Sequence, residues 1–237
     1  MSLIKKPPEL KMAPPGSHVV KRHIRISEHG IKYFVKAHIR KNPGKKTILM
    51  PENLLFLYWH GDRNFPHLGT VKGFDEYPEL DSVVQFWLQF WQEQGLPFPP
   101  GLDPFLIKVL IAKESSFRPK VKTKVSGSSA TGLMQLLQST LYRLEGVPKN
   151  NYVEVNDNYL RLTLEDITDP VVNIAAGTRW VSHKYSLLLK EKKIKSKDLY
   201  STIKYYHSWT RHGEQYADSI FKLYGESTPH RIPFSRQ

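Results

Sequence analysis

The chain has 237 residues and no cysteine. That excludes disulfides, thiolate zinc sites and thiol nucleophiles together, and it leaves the chain compatible with oxidising and reducing compartments alike. Long apolar runs are missing too. Nothing approaches the ~20 residues of a transmembrane helix, so no membrane span is expected. The opening residues, Met1-Ser2-Leu3-Ile4-Lys5-Lys6-Pro7-Pro8, hold no apolar core of a cleavable signal peptide. Acidic residues are scarce: 22 Asp+Glu stand against 35 Lys+Arg, a formal charge of +13. Such a balance concerns partners rather than fold, and the matching partners are polyanions: nucleic acid, an anionic membrane surface or a bacterial wall. The scarcity has a local extreme, because no Asp or Glu occurs from Ser115 to Leu144.

What is present can build a core. The chain is 40% hydrophobic, with 5 Trp, 12 Tyr and 11 Phe. Residues 1–17 read as a flexible Pro/Lys-rich tail. Residues 18–78 read as a basic β-rich module. In it Ile31, Tyr33, Val35, Ala37 and Ile39 alternate with polar neighbours, after a turn at Glu28-His29-Gly30, as in a half-buried antiparallel pair. A further apolar run covers Leu54 to Trp59. Residues 1–78 carry 14 Lys/Arg, 6 Asp/Glu and 6 of the 10 His. Those His spacings fit no zinc template, so no metal site is expected. The alternative for this segment is a solvated basic face on a packing domain.

From residue 79 the apolar period becomes helical. Leu80, Val83, Val84, Trp87, Phe90 and Trp91 form one stripe, closed by Gly95. Asp103-Pro104 is an N-cap with proline at the first helical position. The helix it opens is apolar nearly all round and therefore buried. Glu114 stands at its far end, where the helix dipole disfavours a carboxylate, and a partly buried acid there should have a raised pKa. The other reading is a solvated acid just beyond a core helix. A basic stretch at 118–124 and Ser126-Gly127-Ser128-Ser129 suggest a small hairpin. Gly132 is read as opening another helix, with Gln135 in its first turn and Gly146-Val147-Pro148 ending it. Asp169-Pro170 repeats the cap signal before a long helix with a basic end at 190–197. Stripes at Leu199–Tyr206 and Tyr216–Tyr224 predict two more helices. The expected class is α+β: about six helices from 79 to 225, preceded by the β-rich module and followed by a loose tail at 226–237.

A glycoside bond is broken by protonating its leaving oxygen, and a Glu of raised pKa can do that. The acid-free window after Glu114 removes the nearest candidates for a second carboxylate, leaving Glu165, Asp166 and Asp169 as distant ones. A one-acid mechanism therefore fits better than a two-acid one. Three ordered blocks, E-S-S-F at 114–117, A-T-G-L-M-Q-L at 130–136 and D-P-V-V-N-I-A-A-G at 169–177, resemble the soluble lytic transglycosylase and goose-type lysozyme family over roughly 100–225. The family's later Tyr-Asn motif is matched by Tyr206, with His207 in place of Asn.

The resemblance implies a lysozyme-like catalytic fold that cleaves the β-1,4 bond between N-acetylmuramic acid and N-acetylglucosamine in peptidoglycan. Glu114 would be the general acid and then the base. Ser115 would orient it or hold the muramic acid. Gln135 would bond an acetamido group, and Tyr206 and His207 would contact substrate. Asn173 would be structural. Lytic transglycosylases of this family use the sugar's own C6 hydroxyl and leave a 1,6-anhydro end. Goose-type lysozymes use water, helped by Asp residues in the loop after the Glu, and this loop carries Lys and Ser instead. Hydrolysis on the same fold, or a non-catalytic basic protein binding wall or nucleic acid, are the alternatives. No cofactor is implied. The expected partner is peptidoglycan, with the N-terminal module docking a secretion or phage delivery apparatus. Action is expected in the periplasm or at the wall, reached by such a route or with a leader trimmed from the sequence.

Overall fold

The computed structural model describes residues 3–5, 17–20, 23–26, 30, 32–35, 38–41, 48–125, 128–190 and 198–229. Most of the N-terminal tail, the Glu28-His29 turn, the Asn42-Pro43-Gly44 stop, the Ser126-Gly127 link, the basic end at 191–197 and the tail beyond 229 lie outside the described residues.

Four short strands come first: β1 (Ser17–Val20), β2 (His23–Ile26), β3 (Lys32–Val35) and β4 (His38–Lys41). They pair antiparallel as β2–β3 and β1–β4. The alternating pattern thus forms strand pairs, and the burial of Ile31, Tyr33, Val35, Ala37 and Ile39 lies outside the described residues. Ile24 and Ile26 are exposed, and no described residue covers them.

Strand β5 (Ile48–Leu49) leads into helix α1 (Pro51–His60). The apolar run Leu54–Trp59, grouped by sequence with the β-rich module, is therefore helical. Pro51 at the first helical position and the Asn53 side chain accepting from the Met50 N–H start it. Leu54 and Tyr58 enter the same core as the later helices. After β6 (Gly69–Thr70) come α2 (Pro78–Glu93) and α3 (Pro104–Ser115). A three-stranded sheet of β7 (Lys122–Val125), β8 (Ser128–Thr131) and β9 (Leu136–Leu137) follows, and then α4 (Gln138–Leu144). Strand β10 (Tyr159–Leu160) pairs parallel with β5. Helices α5 (Pro170–Lys190), α6 (Leu199–His207) and α7 (Arg211–Glu226) complete the body, and β11 (Thr228–Pro229) pairs antiparallel with β6. The class is α+β, mainly helical. No described helix is long and apolar enough to cross a membrane.

Helix α5 is the axis of the body, buried without interruption from Pro170 to Tyr185. Asp169 caps it, accepting from the Val171 and Val172 N–H groups at 2.9 and 3.2 Å. Asp103 caps α3 in the same way, accepting from Leu106 N–H at 2.8 Å, and its other oxygen accepts from the Tyr224 hydroxyl of α7. Within α3, Lys108 is as buried as its apolar neighbours. Its ammonium lies 2.6 Å from Asp81 of α2 and donates to the Gly69 carbonyl at 2.7 Å. The second Asp81 oxygen accepts from Leu68 N–H at 2.9 Å. This cluster fastens the segment before β6 to two core helices, and it pairs the two buried charges.

Candidate active site

Helix α3 stops at Ser115 because the next two residues, Ser116 and Phe117, take left-handed backbone angles, φ 50° and 59°. For a phenylalanine that conformation is strained. Burial holds it there: Phe117 stacks on Tyr77 at 4.5 Å and meets Phe74 edge-on at 5.8 Å. The abrupt stop leaves Glu114 half-buried in the last turn, facing a cleft of about 370 Å³. Thr123 of β7, Gln135, Trp180 of α5, and Tyr206 and His207 of α6 share that cleft. Among the described residues lining it, Glu114 is the one carboxylate.

Burial pushes the Glu114 pKa up to about 7, against the smaller opposing pull of the Tyr216 hydroxyl and the Lys113 ammonium. Tyr216, on α7, donates its hydroxyl to Glu114 Oε1 at 2.5 Å. This residue was read from sequence only as part of the last helical stripe, and its partnership with Glu114 was missed. Its own pKa is raised well above the usual tyrosine value, first by burial and then by the nearby Glu114. It therefore stays a hydroxyl donor at any working pH. Tyr206 does not bond Glu114. Its hydroxyl donates to the Met134 carbonyl at 2.8 Å, which ties α6 to the turn that carries Gln135.

That turn differs from the sequence expectation. Residues Gly132 to Gln135 are not the first turn of a helix; they form a tight turn between β8 and β9, and α4 begins only at Gln138. Gly132 has φ 81° and Gln135 φ 45°, both incompatible with a right-handed helix. A Cβ on Gly132 would lie 2.1 Å from Asn173 Nδ2 and 2.5 Å from the Ile167 carbonyl. Asn173 accepts from Met134 N–H at 2.8 Å and donates to the Thr131 and Ile167 carbonyls. It thus replaces the backbone partners that a buried turn would otherwise lack. Gly177, one turn further along α5, leaves room for the Met134 side chain. The Gln135 amide donates to the Gly132 and Val121 carbonyls at 2.8 and 3.3 Å.

Two further candidates are positioned differently from each other. Ser115 is buried, donates to the Ile111 carbonyl at 3.0 Å and does not line the cleft. His207 does line it, with its ring stacked on Tyr216 at 4.7 Å between centroids. Burial, and then His212, lower its pKa, so the imidazole is neutral at neutral pH. The structure also brings in Trp180 and Thr123, which no sequence signal singled out. No group of described residues could hold a metal ion.

Residues 99–207 match the model of a family described as transglycosylase SLT domain. This segment is similar to that family, consistent with a lytic transglycosylase or lysozyme-like domain. No curated protein and no solved structure gives a significant match. The SLT domain is that of an enzyme acting on peptidoglycan, as a lytic transglycosylase or muramidase. Its matched stretch holds Glu114, Gln135, Tyr206 and His207 but ends before α7. The hydroxyl that meets Glu114 thus comes from outside the matched stretch.

Proposed function

We propose that the protein cleaves the β-1,4 bond between N-acetylmuramic acid and N-acetylglucosamine, with Glu114 as general acid and then general base. The observation that carries this reading is a single half-buried carboxylate, its pKa raised to about 7, on the wall of an open cleft. Glu114 gives its proton to the bridging oxygen. The resulting carboxylate, kept in place by the Tyr216 hydroxyl, then takes the proton of the attacking group. With no second acid among the described cleft residues, the sugar's C6 hydroxyl is the fitting nucleophile and a 1,6-anhydromuramic end the fitting product. Gln135, its amide hydrogens engaged, has its carbonyl oxygen to accept an acetamido N–H. Tyr206 and His207 bound the sugar on the α6 side, while Ser115 supports the helix end from behind.

Mass spectrometry of muropeptides released from purified sacculi tests this. Anhydro ends support it, whereas reducing ends would mean hydrolysis by the same cleft. The basic segment 18–78, whose helix α1 shares the core of the catalytic body, is proposed to keep the enzyme on the anionic wall or to dock a delivery apparatus. Deleting residues 1–41 should then weaken sacculus binding without changing turnover of soluble glycan.

A further inference from the structure

Trp209 stands two residues beyond His207, where α6 gives way to α7. It is the one tryptophan that is largely open, 43% exposed, whereas Trp87 and Trp91 are fully buried and Trp180 nearly so. Its ring is nonetheless fixed: it packs on Tyr205 with centroids 3.8 Å apart and planes tilted by 38°. The Lys184 ammonium lies 4.3 Å from the Tyr205 ring and 4.2 Å from the Trp180 ring. Trp180 lines the cleft. Trp180, Lys184 and Tyr205 thus pack in series behind Trp209, and the exposed His207, two residues before it, lines the same cleft.

We propose that Trp209, backed by Tyr205, is a distal glycan subsite that stacks on the pyranose face of a sugar beyond the reacting pair. This rests on the reading of the cleft as a glycan site. A pyranose has an apolar face of C–H groups bounded by polar substituents. A flat ring with one side supported and the other open fits that face, and it offers much contact area at little entropic cost. The neighbours are suited to the substituents: Ser208 and Thr210, joined by a 2.9 Å hydroxyl contact, and Arg211. A protein partner would call for a broader apolar patch than this one ring. Continuity with the cleft selects the glycan strand itself as the occupant.

The test uses the full chain in the Glu114→Gln background, so that turnover does not consume the probe. Chitotriose and chitohexaose are titrated by calorimetry. Trp209→Ala should weaken chitohexaose binding about tenfold and leave chitotriose binding unchanged. Trp209→Phe should recover most of the loss. Chitohexaose should also shield the parent's exposed tryptophan from acrylamide quenching, and this protection should vanish in Trp209→Ala. Equal losses for both oligomers, or no loss for either, overturn the subsite while leaving the cleft assignment intact. A chain that binds neither oligomer overturns both.

Discussion

Helix α3 meets one buried carboxylate, Asp81, and carries a half-buried one, Glu114, and the two are treated in opposite ways. Asp81 meets the helix at its second turn and Glu114 belongs to its last. Burial raises the pKa of both. Asp81, however, is met by the Lys108 ammonium, the Leu68 N–H and the more distant His67. Glu114 has one neutral partner, the Tyr216 hydroxyl, with the Lys113 ammonium as a weaker influence. A buried acid surrounded by donors and a cation is held as an anion and fastens structure. A buried acid given one hydroxyl and an open cleft keeps a labile proton. The same helix thus meets a charge-paired acid near one end and carries an acid with a single neutral hydrogen-bond partner at the other, and the number and charge of the partners make the difference.

The sharpest break in this comparison is Glu114→Gln, which should lower muropeptide release by ~10³-fold while keeping the fold. The substitution should also stabilise. Because the folded pKa, about 7, lies above the unfolded value, the folded state resists ionising Glu114, and stability falls as pH rises through that interval. The midpoint gain of Glu114→Gln in thermal melts should therefore be larger at pH 8 than at pH 5. Wild-type activity should decline above pH 7 as the acid loses its proton. Asp81→Asn should do the reverse. Stranding Lys108 in the core should cost about 3 kcal/mol in urea unfolding, with kcat of the remaining folded enzyme little changed. A large fall in kcat without loss of stability would end the distinction between the two acids.

A smaller effect comes from the turn that presents Gln135. Gly132→Ala should destabilise by ~2 kcal/mol, because a side chain there needs a left-handed backbone and meets Asn173. The mildest change is Tyr216→Phe. Removing the hydrogen bond that lowers the Glu114 pKa should move the alkaline limb of the pH–rate profile upward and cost about tenfold in rate at most. A limb that moves downward would mean that the hydroxyl does not favour the ionised acid.

Much of this was legible in the sequence where the signal is local. Asp103-Pro104 and Asp169-Pro170 announce α3 and α5 because an N-cap is made within three residues. Glu114 stood out because it ends an apolar helix. The Gly132–Gln135 turn was misread because Leu133, Met134 and Leu136 are all buried, as in a core helix. Its backbone groups find their partner in Asn173, about forty residues away, and no local pattern reports that. Helix α1 was masked by its shortness, although Pro51 marked its start. Tyr216 could not be told from a packing tyrosine, since its spacing with Ile220 and Leu223 is that of any buried stripe. Its role depends on which helix end it meets, 102 residues back along the chain.

That separation bears on how the enzyme comes into being. A nascent chain that has reached residue 207 already encodes the cap, the acid and the Asn173-braced turn. It lacks α7, the Tyr216 hydroxyl and the Tyr224 hydroxyl that meets the Asp103 cap. It also lacks the strand that pairs with Gly69-Thr70 beside the Lys108 cluster. Helix α7 therefore acts as a latch on both ends of α3, and the environment of Glu114 is complete only once that helix has docked.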